Sequence, residues 1–217
     1  MTTKFSISQT LTSGLNTITL PQTNLTLIGI SVLGIPYMGI QLSPGKIAYI
    51  PLGNPSGAGG IAYKDPMFRV VYTFDTINFY VSVPNTPTSP AIFYFGDPTA
   101  DSINLEDLTG VVETLSLTQG TSAGVMNGNM TFQFPEGKIL LTGYYSIVNQ
   151  NYAISQFQIS TGKNIYLFNA NKTGQDVIHP LEIEGAQSFV VSVSAYVSAS
   201  TTSTIYGILY YKVLQEV

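Results

Sequence analysis

The chain has 217 residues, of which only 9% are charged and 44% hydrophobic, and its formal net charge is −4. Eight Lys and Arg in total are too few to coat nucleic-acid phosphates, and hydrophobicity at this level with so small a net charge excludes a disordered chain. A single His and the absence of Cys and Trp remove thiolate metal sites, Cys nucleophiles and disulfide scaffolds.

In chain order, the first residues have no basic run leading into an apolar one, so no signal peptide is expected. The elements that follow read as strands. Period-2 alternation in apolar and aromatic residues, broken by Gly, Pro and Asn, places them near residues 3–8, 16–20, 24–33, 38–42, 46–51, 68–73, 77–83 and 91–95. The longest apolar stretch, Leu25 to Ile40, is interrupted by Gly29, Gly34, Pro36 and Gly39. It falls short of the roughly 20 apolar residues that a spanning helix needs, so no membrane span is expected. Gly53 to Gly60 is glycine-rich but lacks the Gly-Lys-Ser/Thr ending of a phosphate loop, and it reads as a surface loop.

Asp97 to Asp107 is the most charged part of the chain. It reads as an acidic linker over 97–110, with room for one helical turn at Ile103–Leu108. Its acids Asp97, Asp101, Glu106 and Asp107, with Asn104, offer oxygens to a calcium ion, but their spacing fits no defined calcium loop. A second run of strands is expected near 111–117, 130–134, 138–148, 153–159, 164–168, 177–183, 188–197 and 204–214.

The two runs repeat one another. Gly14, Thr17, Pro21, Leu27 and Gly29 recur as Gly128, Thr131, Pro135, Leu141 and Gly143, always 114 residues on. Gln41-Leu-Ser43-Pro-Gly45-Lys46 with Tyr49 recurs as Gln158-Ile-Ser160-Thr-Gly162-Lys163 with Tyr166, at an offset of 117. Phe79-Tyr-Val81-Ser82-Val83 recurs as Phe189-Val-Val191-Ser192-Val193, at an offset of 110. Gly and Pro hold turns for backbone reasons, so their coincidence points to a duplication with loop insertions and deletions. About eight short strands per half is the content of a jelly roll. The expected fold is therefore all-β, two tandem jelly-roll β-sandwich domains, the first over 1–96 and the second over 111–217.

Few residues offer chemistry. His179 precedes Pro180, and no Ser or Cys lies in a nucleophile-elbow context, so it reads as a loop residue rather than a catalytic base. Glu182 and Glu184 share one face of a strand. As a carboxylate pair they have the parts of a glycosidase; as like charges they guard a strand against unwanted pairing. No enzyme activity, cofactor or metal is expected. The last strand, Ile205 to Leu214, is apolar or aromatic on both faces. Either it is a central strand buried on both sides, or one face meets a neighbouring subunit through Tyr206, Tyr210, Tyr211 and Leu214, since Tyr is enriched at interfaces.

A Cys-free, charge-poor chain rich in Tyr, Thr and Asn, with the doubled Gly-Thr-Pro-Leu-Gly and Gln-Ser-Gly-Lys-Tyr blocks, resembles the tandem jelly-roll penton and turret-base proteins of turreted icosahedral archaeal viruses with an internal membrane. The resemblance implies a minor capsid protein at the virion vertex, made in the host cytoplasm, with one jelly roll in the five-fold shell and the other supporting a turret. Its partners would be further copies in a homo-oligomer, expected to be a pentamer, with the major capsid protein and other vertex proteins, and no nucleic acid. An alternative on the same architecture is an oligomeric receptor- or carbohydrate-binding module that uses exposed Tyr and Asn at loop tips.

Overall fold

The computed structural model describes residues 4–52, 72–98, 104–134, 138–148, 154–160, 165–168, 173–176, 181–184 and 188–215. The chain divides into two units, Met1–Thr109 and Gly110–Val217.

The first unit holds β1 (Phe5–Gln9), β2 (Gly14–Thr19), β3 (Leu25–Ser31), β4 (Tyr37–Ser43), β5 (Lys46–Pro51), β6 (Tyr72–Phe74), β7 (Asn78–Val83) and β8 (Ala91–Gly96). They form two antiparallel sheets, in the orders β1-β8-β3-β6 and β2-β7-β4-β5. With the eight strands lettered B to I, these orders are B-I-D-G and C-H-E-F, the wiring of a jelly roll. Alternation decides which side chains point inward. Phe74 of one sheet stacks on Phe79 of the other at 4.1 Å, and Phe79 meets Phe93 edge-on at 5.9 Å. These rings, with Ile18, Leu27, Val81 and Phe95, are buried between the sheets. The β4–β5 turn is Pro44-Gly45, and Gly45 has φ +79°. Pro followed by a Gly in the left-handed region is what a tight type II turn needs.

The second unit holds β9 (Gly110–Thr118), β10 (Gly124–Gln133), β11 (Lys138–Val148), β12 (Ile154–Ser160), β13 (Ile165–Phe168), β14 (Thr173–Asp176), β15 (Leu181–Glu184), β16 (Ser188–Val197) and β17 (Thr202–Gln215). Its sheets run β9-β17-β11-β14 and β10-β16-β12-β13, with β15 also on β11. Counting β14 and β15 together as the G position, the orders are again B-I-D-G and C-H-E-F. Met130, Phe132, Phe189 and Val191 face Leu141, Tyr144, Leu209 and Tyr211 in a shared core.

The sequence repeats fall on equivalent strands. The first block covers strands C and D in both units (β2–β3 and β10–β11), the second the E–F pair (β4–β5 and β12–β13), and the third strand H (β7 and β16). The correspondence reaches a backbone irregularity. In β3 the pairing slips between Leu27, opposite Phe95, and Gly29, opposite Tyr94. In β11 it slips between Leu141, opposite Tyr211, and Gly143, opposite Tyr210. The repeated Leu-x-Gly is thus the same β-bulge. A Cβ at Gly29 would lie 3.5 Å from the Tyr94 ring, an ordinary van der Waals contact. The second block is less faithful. Gln41 faces Tyr80, whereas Gln158 faces Ser192, two residues along strand H from the position its repeat would give.

Three elements differ from the sequence expectation. The strand expected at 130–134 begins at Gly124, because Gly124 and Gly128 hide an alternation that Met126, Met130 and Phe132 continue inward. The strand expected at 177–183 is two short ones, Thr173–Asp176 and Leu181–Glu184, while 177–180 lies outside the described residues, as do 68–71 of the expected sixth strand. The acidic segment is not a free linker to residue 110. Its end, Leu105–Leu108, is one 3₁₀ turn capped by Asn104, whose side-chain oxygen accepts from Glu106 N at 3.0 Å. Leu105 and Leu108 are buried, and Thr109 bridges to Ala48 of β5. Two leucines three residues apart give this segment an apolar side that a solvated linker lacks, so it stays with the first unit.

Gly207 in β17 offers a test of core packing. A Cβ there would sit 2.9 Å from Phe132 Cζ, 2.9 Å from the Tyr144 hydroxyl and 3.0 Å from Met130 Cε. Gly207→Ala is expected to cost about 1–3 kcal/mol through overpacking, read as a lower urea midpoint at unchanged slope.

Candidate interaction surfaces

β17 carries the four residues expected at an interface, and the structure separates them. The strand is internal to its sheet, paired with β11 on one side and β9 on the other. Tyr211 points into the sandwich core, edge-on to Phe134 at 5.5 Å. Tyr210, on the opposite face, is buried as well, and Tyr206 is half-buried. Burial pushes the phenols of Tyr206 and Tyr211 above their ordinary pKa. The strand opens to solvent at Thr202 and again at its end, with Val213 at 41% and Leu214 at 46% exposure. Within this chain Tyr210 and Tyr211 are buried, while Tyr206 is partly and Leu214 more fully open to solvent.

The C-H-E-F sheet of the second unit presents a different surface, one missed from the sequence. None of its four strands, β10, β16, β12 and β13, contains a charged residue. On the face away from the core, β10 exposes Val125, Asn127, Asn129, Thr131 and Gln133. Val125 lies opposite Tyr196 of β16, and these two are 65% and 50% exposed. Asn127 lies opposite Ser194, whose hydroxyl donates to Asn127 Oδ1 at 2.6 Å. The result is a neutral ladder of amides and hydroxyls with an apolar corner. Among the described residues β10 is paired on one side only, so this ten-residue strand is an edge with neither Lys nor Pro to blunt it.

The first unit contains a cleft of about 390 Å³. Its walls come from Ile40–Leu42 at the end of β4, the β6–β7 turn with its flanks, and the 3₁₀ turn. The floor includes Ile40, Phe79 and Leu105; the polar lining includes Gln41, Asp75, Asn78, Asn104 and Glu106, with the rings of Tyr72 and Tyr80. Thr19 donates to Asn78 Oδ1 at 2.8 Å, and Lys46 Nζ lies 3.1 Å from Glu106 Oε1. Tyr80 is 43% exposed. Burial first, and then the carboxylates of Asp75 and Glu106, raise the Tyr72 phenol above its usual pKa.

Among the described residues, those weighed for chemistry do not gather. Asp97 pairs with Lys4 and Glu106 with Lys46, so these two acids go to separate lysines instead of turning toward one ion. Glu182 is exposed and lies 2.6 Å from Lys138, across the β11–β15 pair. Glu184 stands opposite Lys138 in the same register. His179, Asp101 and the Gly53–Gly60 stretch lie outside the described residues. Among the described residues, no three of His, Asp and Glu come close enough to hold a metal, and no helix is long and apolar enough to cross a membrane.

The class defined by this geometry is an all-β protein of two jelly rolls written by an internal repeat. No protein-family model matches the chain, and no curated protein matches its sequence. Among solved structures the chain is similar to the major capsid protein P2 of bacteriophage PM2, at 10% sequence identity and a TM-score of 0.33, covering 95% of this chain and 96% of that one.

Proposed function

We propose that the chain is a structural protein of an icosahedral virion: a minor capsid component of penton or turret-base type, located at the vertex, with no enzymatic activity. The observation that carries this reading is the B-I-D-G/C-H-E-F wiring present twice in one chain, together with an uncharged sheet face that offers neutral contact area. Fold alone does not define function, so the surfaces must supply the argument. Burying a charge against a partner is costly unless it is paired, and the cores of protein interfaces are depleted in charge. The uncharged β10–β16–β12–β13 sheet with its exposed Val125 and Tyr196 has this character. Contacts between unlike patches of successive copies close by rotation into a ring.

Native mass spectrometry and sedimentation of the purified chain over rising concentration test the proposal. A discrete ring is expected, five copies in the penton form, and it should be incorporated into particles when the major capsid protein is present. A strict monomer at all concentrations that fails to enter particles would overturn it.

A further inference from the structure

We infer that the cleft of the first unit binds a neutral saccharide. The inference goes beyond the assembly role and does not depend on it. The cleft's volume, about 390 Å³, lies in the roughly 300–1,000 Å³ range of small-molecule sites.

Its chemistry narrows the ligand. Among the described residues Asp75 has no Lys or Arg partner and Glu106 is already matched by Lys46, so the described lining carries one uncompensated negative charge, which disfavours anions. One uncompensated carboxylate at the rim is a strong hydrogen-bond acceptor for hydroxyl groups. Amides complement it. Asn78 accepts from Thr19 through Oδ1, and Asn104 accepts from Glu106 N through its own Oδ1, which leaves the Nδ2 hydrogens of both side chains as donors. The rim therefore carries acceptors and donors side by side, the set that adjacent hydroxyls on a sugar ring satisfy together. The half-exposed ring of Tyr80 adds a flat apolar surface with a polar tip, suited to the C–H face of a pyranose. A purely apolar ligand would strand these polar groups, each at a desolvation cost.

The site stands on a paired and packed sheet. Gln41 and Tyr80 face each other across β4 and β7, and Phe79, the next residue, is locked between Phe74 and Phe93. Asn104 and Glu106 are fixed by the capped turn.

Saturation-transfer NMR on the full chain tests the inference, with D-mannose, D-galactose and N-acetylglucosamine as neutral probes, N-acetylneuraminic acid as an anionic one and spermidine as a cation. At least one neutral sugar should receive saturation, and the other two classes should not. Tyr80→Ala and Asp75→Asn should each weaken binding by roughly ten-fold, the scale of losing one good contact, while Tyr196→Ala on the second unit leaves it unchanged. Failure of all three neutral sugars, survival of the signal in both cleft variants, or saturation of spermidine alone would overturn the inference. Native mass spectrometry of the two cleft variants, Tyr80→Ala and Asp75→Asn, should show assembly intact, so a failure here is separable from a failure of the virion reading.

Discussion

Phe79→Ala and Phe189→Ala are each expected to lower stability by about 3–5 kcal/mol, the cost of deleting a buried aromatic ring and leaving a cavity. Against a typical total of roughly 5–15 kcal/mol, either loss is a large fraction of what holds a domain together. Phe79 opens the third repeat block in the first unit and Phe189 opens it in the second. In each unit this Phe stands on strand H, opposite Ile18 of β2 or Phe132 of β10. Phe79 is 4% exposed and Phe189 fully buried. The first ring stacks on Phe74 across the sandwich, and the second meets Phe134 edge-on at 5.2 Å. Urea unfolding of both variants should therefore give similar losses. A severe loss at one position with near-neutrality at the other would show that the two strands do not play the same part. Phe→Leu at either site should cost less than Phe→Ala, because Leu refills most of the space.

These positions also show why so much of the fold was legible. Strand H announces itself in both halves by strict alternation, and the Leu-x-Gly of strand D recurs at the same bulge in both units. Backbone-determined residues keep their place when loops drift. Where the physics is local in this way, the sequence speaks plainly. The Gly-interrupted start of β10 was missed because Gly124 and Gly128 contribute no side chain to the pattern, although Met126 and Met130 preserve the period on either side. The two-residue slip of Gln158 against strand H could not be read at all, since register belongs to the pairing of distant segments rather than to either one alone.

The surfaces were less legible for a related reason. A strand apolar on both faces has the same sequence whether its own protein or a neighbour covers it, and Tyr210 and Tyr211 proved to be buried in their own chain. The cleft could not be foreseen, because its walls come from residues near 40, 72–80 and 104–106, the last of which read as linker. Asn104 and Glu106 were weighed as oxygen donors to a calcium ion and read instead as part of a solvated linker; the fold uses one as a cap and pairs the other with Lys46.

Adding charge to the neutral face of the second unit is expected to abolish assembly without unfolding the chain. In the double variant Val125→Glu/Asn129→Glu, both substitutions lie on the exposed side of β10, four residues apart and therefore on one face of the strand. Neither side chain contributes to the buried core cluster, and exposed substitutions of this kind usually shift stability by about 0.5 kcal/mol or less. At a contact between copies the same change buries unpaired carboxylates, and a buried charge without a partner costs about 3–5 kcal/mol. At roughly 1.4 kcal/mol per factor of ten, the concentration needed for assembly should rise by more than a hundred-fold. Sedimentation should show the variant as monomer under conditions where the unaltered chain forms rings, with its urea midpoint unmoved. The matched variant Ser6→Glu/Ser8→Glu adds the same charge to exposed positions of β1 and should still assemble. If both variants assemble, the contact lies on another face and the uncharged sheet is not the interface. If both fail, overall charge rather than this surface controls association. Loss in the β10 variant alone ties the neutral ladder of Asn, Ser and Thr to the packing of one copy against the next.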